Sequence, residues 1–225
     1  AYAQSLLRLG NEMVETLLDQ PTAKRTYFQL RVLDTIPKHL TVQIVQKALS
    51  EKKCTVTITE GKPTDLTQEL SEHRIDLMLT NQVPRSELTQ LYPKRVARLP
   101  LWIVGARSFI GLKRGFPSSL DGQPFVLPTK DSSVRNEFEA FCKTSGIVPD
   151  QVAEAQDVMV QKLLALQGVG LTVVPEFAVR EYLKRKELFL VGRLPNGFEE
   201  LFLISASRKI ENPVASFLMN HFKLI

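Results

Sequence analysis

The sequence is poor in the features that mark disulfide frameworks, metal sites and membrane spans. Only two of its 225 residues are cysteines, Cys54 and Cys142, and they fit no metal-binding or redox spacing, so we interpret both as buried thiols. The longest apolar runs, such as 170–174 and 201–204, are far shorter than the ~20 residues that cross a bilayer. The N-terminus does not resemble a signal peptide, although a matured secreted chain would lack one too. We expect a reduced, cytoplasmic protein without a membrane partner.

Catalytic motifs and nucleic-acid signatures are also missing. No GxSxG elbow, P-loop, HExxH or GxGxxG occurs, and the three histidines, His39, His73 and His221, are widely separated. We predict that the chain is not an enzyme. Its net charge of +5 comes from scattered basic residues, and the densest cluster, 184–186, falls at a predicted helix end. This pattern favours a solvated surface over a nucleic-acid groove.

The first 19 residues form a separate amphipathic segment. Leu6, Met13 and Leu17 belong to an apolar stripe with helical three- and four-residue steps, and Pro21 closes the segment. Such a stripe needs a partner, either in the core or in a second chain. We predict that residues 1–21 form a linker helix through which two copies associate.

Strand and helix patterns alternate in the first half of the chain. Apolar residues recur at strand period in 28–32, 54–58 and 75–79. Helical patterns lie between them, one opened by Pro37 as its first residue and one around 66–70. Strands separated by helices in this way predict a parallel βαβαβ unit.

A second unit of the same kind covers 125–191. An extended run at 96–106 leads into it, and a turn-rich crossing at 193–197 leads out to a strand and a terminal helix capped by Asn212. We therefore predict an α/β fold of two Rossmann-like subdomains joined by two crossover strands, like type II periplasmic binding proteins. The predicted parts are the linker helix (1–21), subdomain I (22–98 plus 199–225) and subdomain II (99–198).

Two strand-to-helix junctions are candidates for ligand binding. The segments 31–37 and 125–133 each end an apolar strand in a polar loop that opens a helix. The free N–H groups and the positive dipole end of a helix start attract anions and polar ligands. One junction in each half predicts a ligand-binding cleft between two lobes.

Five segments, in this order, resemble the effector-binding domain of LysR-type transcriptional regulators. They are Arg31–Pro37, Glu72–Thr80, Leu120–Phe125, Gly168–Pro175 and the terminal strand with its helix, and Gly168–Pro175 is the most specific of them. Within that family, 127–141 and 154–162 look most like the NhaR type, the branch that activates sodium/proton antiporter genes.

The resemblance implies a sensing domain of a transcriptional activator that works as a homodimer or homotetramer. The full-length protein would bind promoter DNA through an N-terminal winged helix-turn-helix, which these 225 residues lack, and would contact RNA polymerase. The implied signal is sodium coupled to pH, with another small polar effector as the alternative and with no other cofactor.

The resemblance also implies that both lobes contact the effector. For each polar residue a helix cap or turn explains the residue equally well. Sodium needs hard oxygen ligands, and we expect Asp34, Asp131 and Glu176 to be the only carboxylates near the cleft rim. The implied effector-binding residues are Asp34, Thr35, Ile36, Pro37, Asn81, Leu101, Trp102, Thr129, Asp131, Ser132, Ser133 and Phe177, and the predicted dimerisation residues are Leu6, Met13 and Leu17.

Two other functions fit parts of the sequence. A transport-type solute-binding protein shares the two-lobed, doubly crossed architecture, but it does not need the amphipathic segment 1–19. A redox sensor would require Cys54 and Cys142 to come within disulfide range, and their predicted placement in different lobes argues against it.

Overall fold

The computed structural model describes residues 26–85 and 90–224, together with the isolated positions Leu6 and Gly10. Met13 and Leu17, two of the residues predicted to dimerise the chain, lie outside the described residues. Leu6, the third, is 69 % exposed. Within the described ranges no helix is long and apolar enough to cross a membrane.

Eight strands and six α-helices make up the described fold, and the strands predicted separately at 188–191 and 201–205 are one. The strands are β1 (Thr26–Leu33), β2 (Cys54–Gly61), β3 (Leu77–Thr80), β4 (Leu91–Gly105), β5 (Pro124–Leu127), β6 (Asp150–Glu154), β7 (Thr172–Pro175) and β8 (Phe189–Ala206). The helices are α1 (Lys38–Glu51), α2 (Pro63–Ser71), α3 (Ser133–Ser145), α4 (Val158–Leu166), α5 (Glu176–Lys184) and α6 (Pro213–His221). Two 3-10 helices, Arg107–Gly115 and Ser118–Leu120, lie between β4 and β5.

The strands form a mixed sheet of six and a parallel pair. The large sheet has the order β2-β1-β3-β8-β4-β7, with β1 parallel to both β2 and β3. The predicted βαβαβ unit is therefore confirmed. Strand β5 pairs with β6 in parallel and reaches Leu171, just before β7, through the single bridge from Phe125.

Local sequence signals set several helix ends. Asp157 accepts a hydrogen bond from the Met159 N–H at 2.5 Å, and Asn212 caps α6 in the same way. Gly146 ends α3 with φ of +66°, a left-handed conformation that glycine adopts without strain. Pro37 is predicted to be the first helical residue, but its ψ of 128° is extended. It therefore occupies the N-cap position of α1, and the helix begins at Lys38.

The two longest strands connect the two halves of the fold. Strands β4 and β8 pair in antiparallel fashion from Leu91 opposite Ala206 to Gly105 opposite Phe189. The predicted crossing at 193–197 lies between the cores, but the expectation that it separates two strands is wrong, because this segment belongs to β8. Trp102 pairs with Arg193 and Pro100 with Phe198, so four residues of β8 stand opposite Leu101 alone. The turn-forming residues are accommodated as a bulge in a continuous strand.

The buried apolar residues fall into separate cores on either side of this crossing. One core contains β1–β3, α1, α2, α6 and the adjoining ends of β4 and β8, up to Leu99 and from Leu201. Two smaller cores contain most of the others, between Leu101 and Leu194. We call the part around the first core lobe I and the part around the other two lobe II. The boundaries predicted at 98/99 and 198/199 stay a prediction.

Candidate functional site: a cavity between the lobes

A small cavity lies where the lobes meet at the crossing strands. Its volume is about 10 Å³, close to the least that holds one water molecule. Lobe I contributes the loop between β1 and α1, lobe II contributes the loop between β5 and α3 together with α4 and β7, and β8 closes the cavity. The polar side chains that line it belong to Thr35, Ser132, Gln156, Gln161 and Glu199.

Two of the predicted residues line this cavity with hydroxyl groups. The Oγ1 atom of Thr35 is buried and has no hydrogen-bond partner in the described part of the chain. Ser132 occupies the N-cap position of α3, yet its side chain makes no capping hydrogen bond within the described residues. A helix cap therefore does not account for Ser132, and no observed contact satisfies Thr35.

Asn81 connects the two lobes at the edge of the cavity. It follows β3 in lobe I, and its Nδ2 group donates to Ser133 Oγ in lobe II at 3.2 Å and to Glu199 Oε1 on β8 at 3.2 Å. Next to it, Asp34 Oδ2 accepts a hydrogen bond from Gln156 Nε2 of lobe II at 2.9 Å. Predicted residues from both lobes thus meet here, and whether they bind an effector stays a prediction.

Glu199 is the buried carboxylate of the cavity. It is 4 % exposed, and no ion pair reaches it from any described residue. Burial raises the pKa of Glu199 to about 7, and the hydrogen bond from Asn81 only partly opposes this. At neutral pH the group therefore lies close to the midpoint between its charged and neutral forms.

The expectation about carboxylates near the rim is wrong, because it omits Glu199. Asp131 is exposed, and Glu176, which follows the lining residue Pro175, pairs with Arg180 at 3.1 Å and does not line the cavity itself. A sequence signal for Glu199 existed: Leu201 and Leu203 are buried at period two on β8, and the same period places Glu199 on their face. A charged residue at such an inward-facing position indicates a buried polar site.

A second contact between the lobes involves aromatic rings. His39 of α1 stacks on Phe177 of α5 with centroids 4.5 Å apart and planes inclined by 16°. His39 is exposed as a whole, but partial desolvation of its ring, and then the charge of Lys162, lower its pKa below the ordinary 6.5. Lys162 is itself buried and donates to the Ala178 carbonyl at 3.2 Å. The interface therefore favours neutral His39.

The other predicted residues lie outside the cavity lining. Leu101 is fully buried in the lobe II core, and Trp102 packs on the opposite face of β4 with the Arg193 guanidinium 4.9 Å from its ring. Ile36 and Pro37 are buried, Ile36 in the lobe I core. Thr129 is partly exposed in the loop before α3. These residues shape the surroundings rather than the cavity surface.

Neither a metal cluster nor a cysteine pair is found in the described ranges. No group of three or more His, Cys, Asp or Glu side chains among these residues is arranged to hold a metal ion. Cys54 is buried in the lobe I core and Cys142 in the lobe II core, as buried thiols were predicted to be. Burial raises the pKa of Cys142 to about 11, so its thiol is protonated and unreactive at neutral pH.

Comparisons with known proteins agree on the type of domain. The family model described as the LysR substrate binding domain matches residues 25–223. The transcriptional activator protein NhaR of Escherichia coli is 20 % identical over 223 residues, which cover 97 % of this chain and 72 % of that protein.

Solved structures show the same fold. Full-length CbnR complexed with its target DNA aligns with a TM-score of 0.70 at 16 % identity, covering 97 % of this chain and 75 % of that one. The regulatory domain of CcmR from Synechocystis PCC6803, in complex with 2-PG, aligns with a TM-score of 0.66 at 14 % identity, covering 86 % and 94 %.

Proposed function

Because the chain belongs to the family of LysR substrate-binding domains, we propose that it is the effector-sensing and oligomerising domain of a transcriptional activator. One observation carries the proposal: Asn81 of lobe I bonds both Ser133 of lobe II and Glu199 of the crossing strand, beside a cavity lined from both lobes. A group bound there contacts both lobes and favours one relative orientation.

Sodium, coupled to pH, is the effector that we propose, and a sodium/proton antiporter gene is the target. The similarity to NhaR supports both suggestions. The size of the site also suits an ion. A cavity of about 10 Å³ accepts an ion or a water molecule but no organic molecule unless the lobes separate. A transport-type solute-binding protein would share the architecture, and the family match favours the regulator.

A titration tests the effector. Tryptophan fluorescence and melting temperature are followed while sodium chloride replaces potassium chloride at constant ionic strength. Trp102 reports on the crossing strands, since it lies on β4 beside Arg193 of β8. We expect a sodium-specific change that is lost in Ser133→Phe, whose ring occupies the cleft. Equal responses in the wild type and in Ser133→Phe exclude the cleft as the sensor.

We propose further that the chain acts as a homodimer or homotetramer. Besides the linker stripe, exposed apolar side chains support this: Val42 and Leu49 on α1, and Met159 and Leu163 on α4, are 46–51 % exposed. Light scattering compares the oligomeric state of the full chain with that of a chain starting at Thr22. The difference measures how much the linker contributes to association. If both chains are monomers at micromolar concentration, the linker interpretation is contradicted.

The remaining partners are proposed from the family. The full-length protein would reach promoter DNA through a winged helix-turn-helix outside these 225 residues and would contact RNA polymerase in the cytoplasm. The fold similarity to CbnR, solved with its target DNA, is consistent with such a partner. The domain alone should bind duplex DNA weakly, because its +5 charge is diffuse. A nanomolar, sequence-selective mobility shift at physiological salt would contradict this.

A further inference from the structure

The Glu199 carboxylate has no counter-charge among the described residues. It is 96 % shielded from solvent, given its 4 % exposure, and the other side chains that line its cavity are uncharged. Asn81 is the one hydrogen-bond donor that reaches it within the described residues. A buried carboxylate without a paired cation is costly unless it takes up a proton or binds a positive ion.

Charged groups on the surrounding elements are engaged elsewhere or point away. On β8 itself, Glu200 pairs with Arg95 at 2.7 Å, on the face opposite Glu199. On α3, Arg135 bonds Glu139, Gln151 and the Pro128 carbonyl. Each remaining charged neighbour has a partner of its own. Gln156 donates to Asp34, and Asp157 caps α4. Lys162 donates to the Ala178 carbonyl, and Glu176 pairs with Arg180.

Neutral oxygens complete the surroundings of Glu199. The Thr35 hydroxyl has no partner among the residues described, and the Ser132 hydroxyl is not used to cap α3 there. Both line the same cavity as Glu199. Carboxylate, hydroxyl and carbonyl oxygens are the ligands of hard cations. A buried hydroxyl without a partner is rare enough to require an explanation, and a bound ion or water supplies one.

Size and charge restrict the ion. The cavity of about 10 Å³ has room for one water-sized group. One carboxylate balances one positive charge, whereas calcium and magnesium sites normally use several carboxylates or retained waters. The geometry therefore suits a single dehydrated monovalent cation.

We propose that Glu199, with the hydroxyls of Thr35 and Ser132, binds one sodium-sized monovalent cation in the inter-lobe cavity. The proposal rests on the proposed effector function and names its ligand-binding carboxylate. Thr35 belongs to lobe I, Ser132 to lobe II and Glu199 to the strand that joins them. The cation therefore stabilises the arrangement in which these three residues line one cavity.

The test compares Glu199→Gln with Glu200→Gln, which removes one negative charge from the adjacent residue of the same strand. Melting temperature and sodium-23 relaxation are measured at pH 8 in sodium, potassium and choline chloride at equal ionic strength. At ten times Kd we expect sodium to raise the melting temperature of the wild type and of Glu200→Gln by about 3–5 °C. Glu199→Gln should not respond.

Three results overturn the cation site. The first is a wild type that does not respond to sodium at pH 8, and the second is a Glu199→Gln variant that responds like the wild type. If Glu199→Gln does not fold, Thr35→Val is measured in its place. A sodium affinity of Thr35→Val equal to that of the wild type is the third result. If Ser133→Phe abolishes a sodium response that Glu199→Gln retains, the proposed function survives and the cation site alone fails.

Discussion

The side chains of Asn81 and Glu199 are joined by a hydrogen bond of 3.2 Å between Nδ2 and Oε1. Asn81 follows the short strand β3, and Glu199 lies on the long strand that leaves one lobe for the other. Because Asn81 also donates to Ser133 of lobe II, one amide group links three parts of the fold. A change of charge at Glu199 therefore acts on the contact that holds the lobes together.

Replacing Glu199 should change how stability depends on pH. In the folded chain the pKa of Glu199 is about 7, against an ordinary 4.5. The folded state therefore keeps a proton that the unfolded state loses. The stabilisation is complete below pH 4.5 and is lost as pH rises through 7, and it amounts to about 3 kcal/mol. Urea unfolding in potassium buffers should show this loss in the wild type and not in Glu199→Gln. The same loss in both chains would contradict the assignment.

His39 should make the stability of the fold depend on pH in the opposite direction. Its pKa is lowered by partial desolvation of the ring and by the charge of Lys162, so the folded state resists protonation. The corresponding stability is present above pH 6.5 and is lost as pH falls through the lowered pKa. His39→Phe keeps the stacking on Phe177 and removes the titration. Below pH 6.5 its melting temperature should fall less than that of the wild type, and parallel curves would disprove the role of His39.

Asn81→Leu should weaken the connection between the lobes. The substitution removes the hydrogen bonds to Ser133 and Glu199 and leaves the Glu199 carboxylate without its donor. We expect a loss of about 1–3 kcal/mol in unfolding free energy at pH 8. The neighbouring Gln82 is exposed, so Gln82→Ala serves as a control and should change little. Equal effects of the two substitutions would show that the Asn81 contacts contribute nothing.

Arg135 should position the lobe II wall of the cavity. Its buried guanidinium donates to the Pro128 carbonyl at 3.1 Å and to Gln151 at 2.7 Å, which fixes the loop that carries Ser132. Arg135→Met leaves these acceptors unpaired and should cost about 2–4 kcal/mol in denaturant unfolding. Arg180→Met removes an exposed ion pair instead and should cost less than about 1 kcal/mol. Similar losses would mean that the Arg135 network is not structural.

Much of the fold could be predicted because its signals are local. Strand alternation, the caps at Asp157 and Asn212, and the glycine stop at Gly146 depend only on neighbouring residues. The local pattern does not predict the continuity of β8 through 193–197, because the turn-forming residues form a bulge whose flanks, Arg193 and Phe198, pair with β4 more than 90 positions earlier in the chain. Pairing between distant strands leaves no local signal.

The candidate site was only partly predictable for a similar reason. Helix starts are visible in sequence, and so the loops with Thr35, Ser132 and Ser133 were identified. Leu101 and Trp102 were assigned to the cleft because they lie on a crossing strand, but both faces of that strand pack against cores. Glu199 was missed because the burial of a charged residue depends on what the whole fold places around it.

The most direct test of the account is the distance between the lobes with and without sodium. Spin labels at Ser50→Cys on α1 and Asn136→Cys on α3 occupy exposed positions, while both native thiols are buried. Double electron–electron resonance then measures the distance between the labels as sodium replaces potassium at pH 8. We predict a shift to one narrower distribution that is absent when Ser133→Phe is added. A distribution that sodium leaves unchanged, or that it shifts equally with Ser133→Phe, would contradict the account.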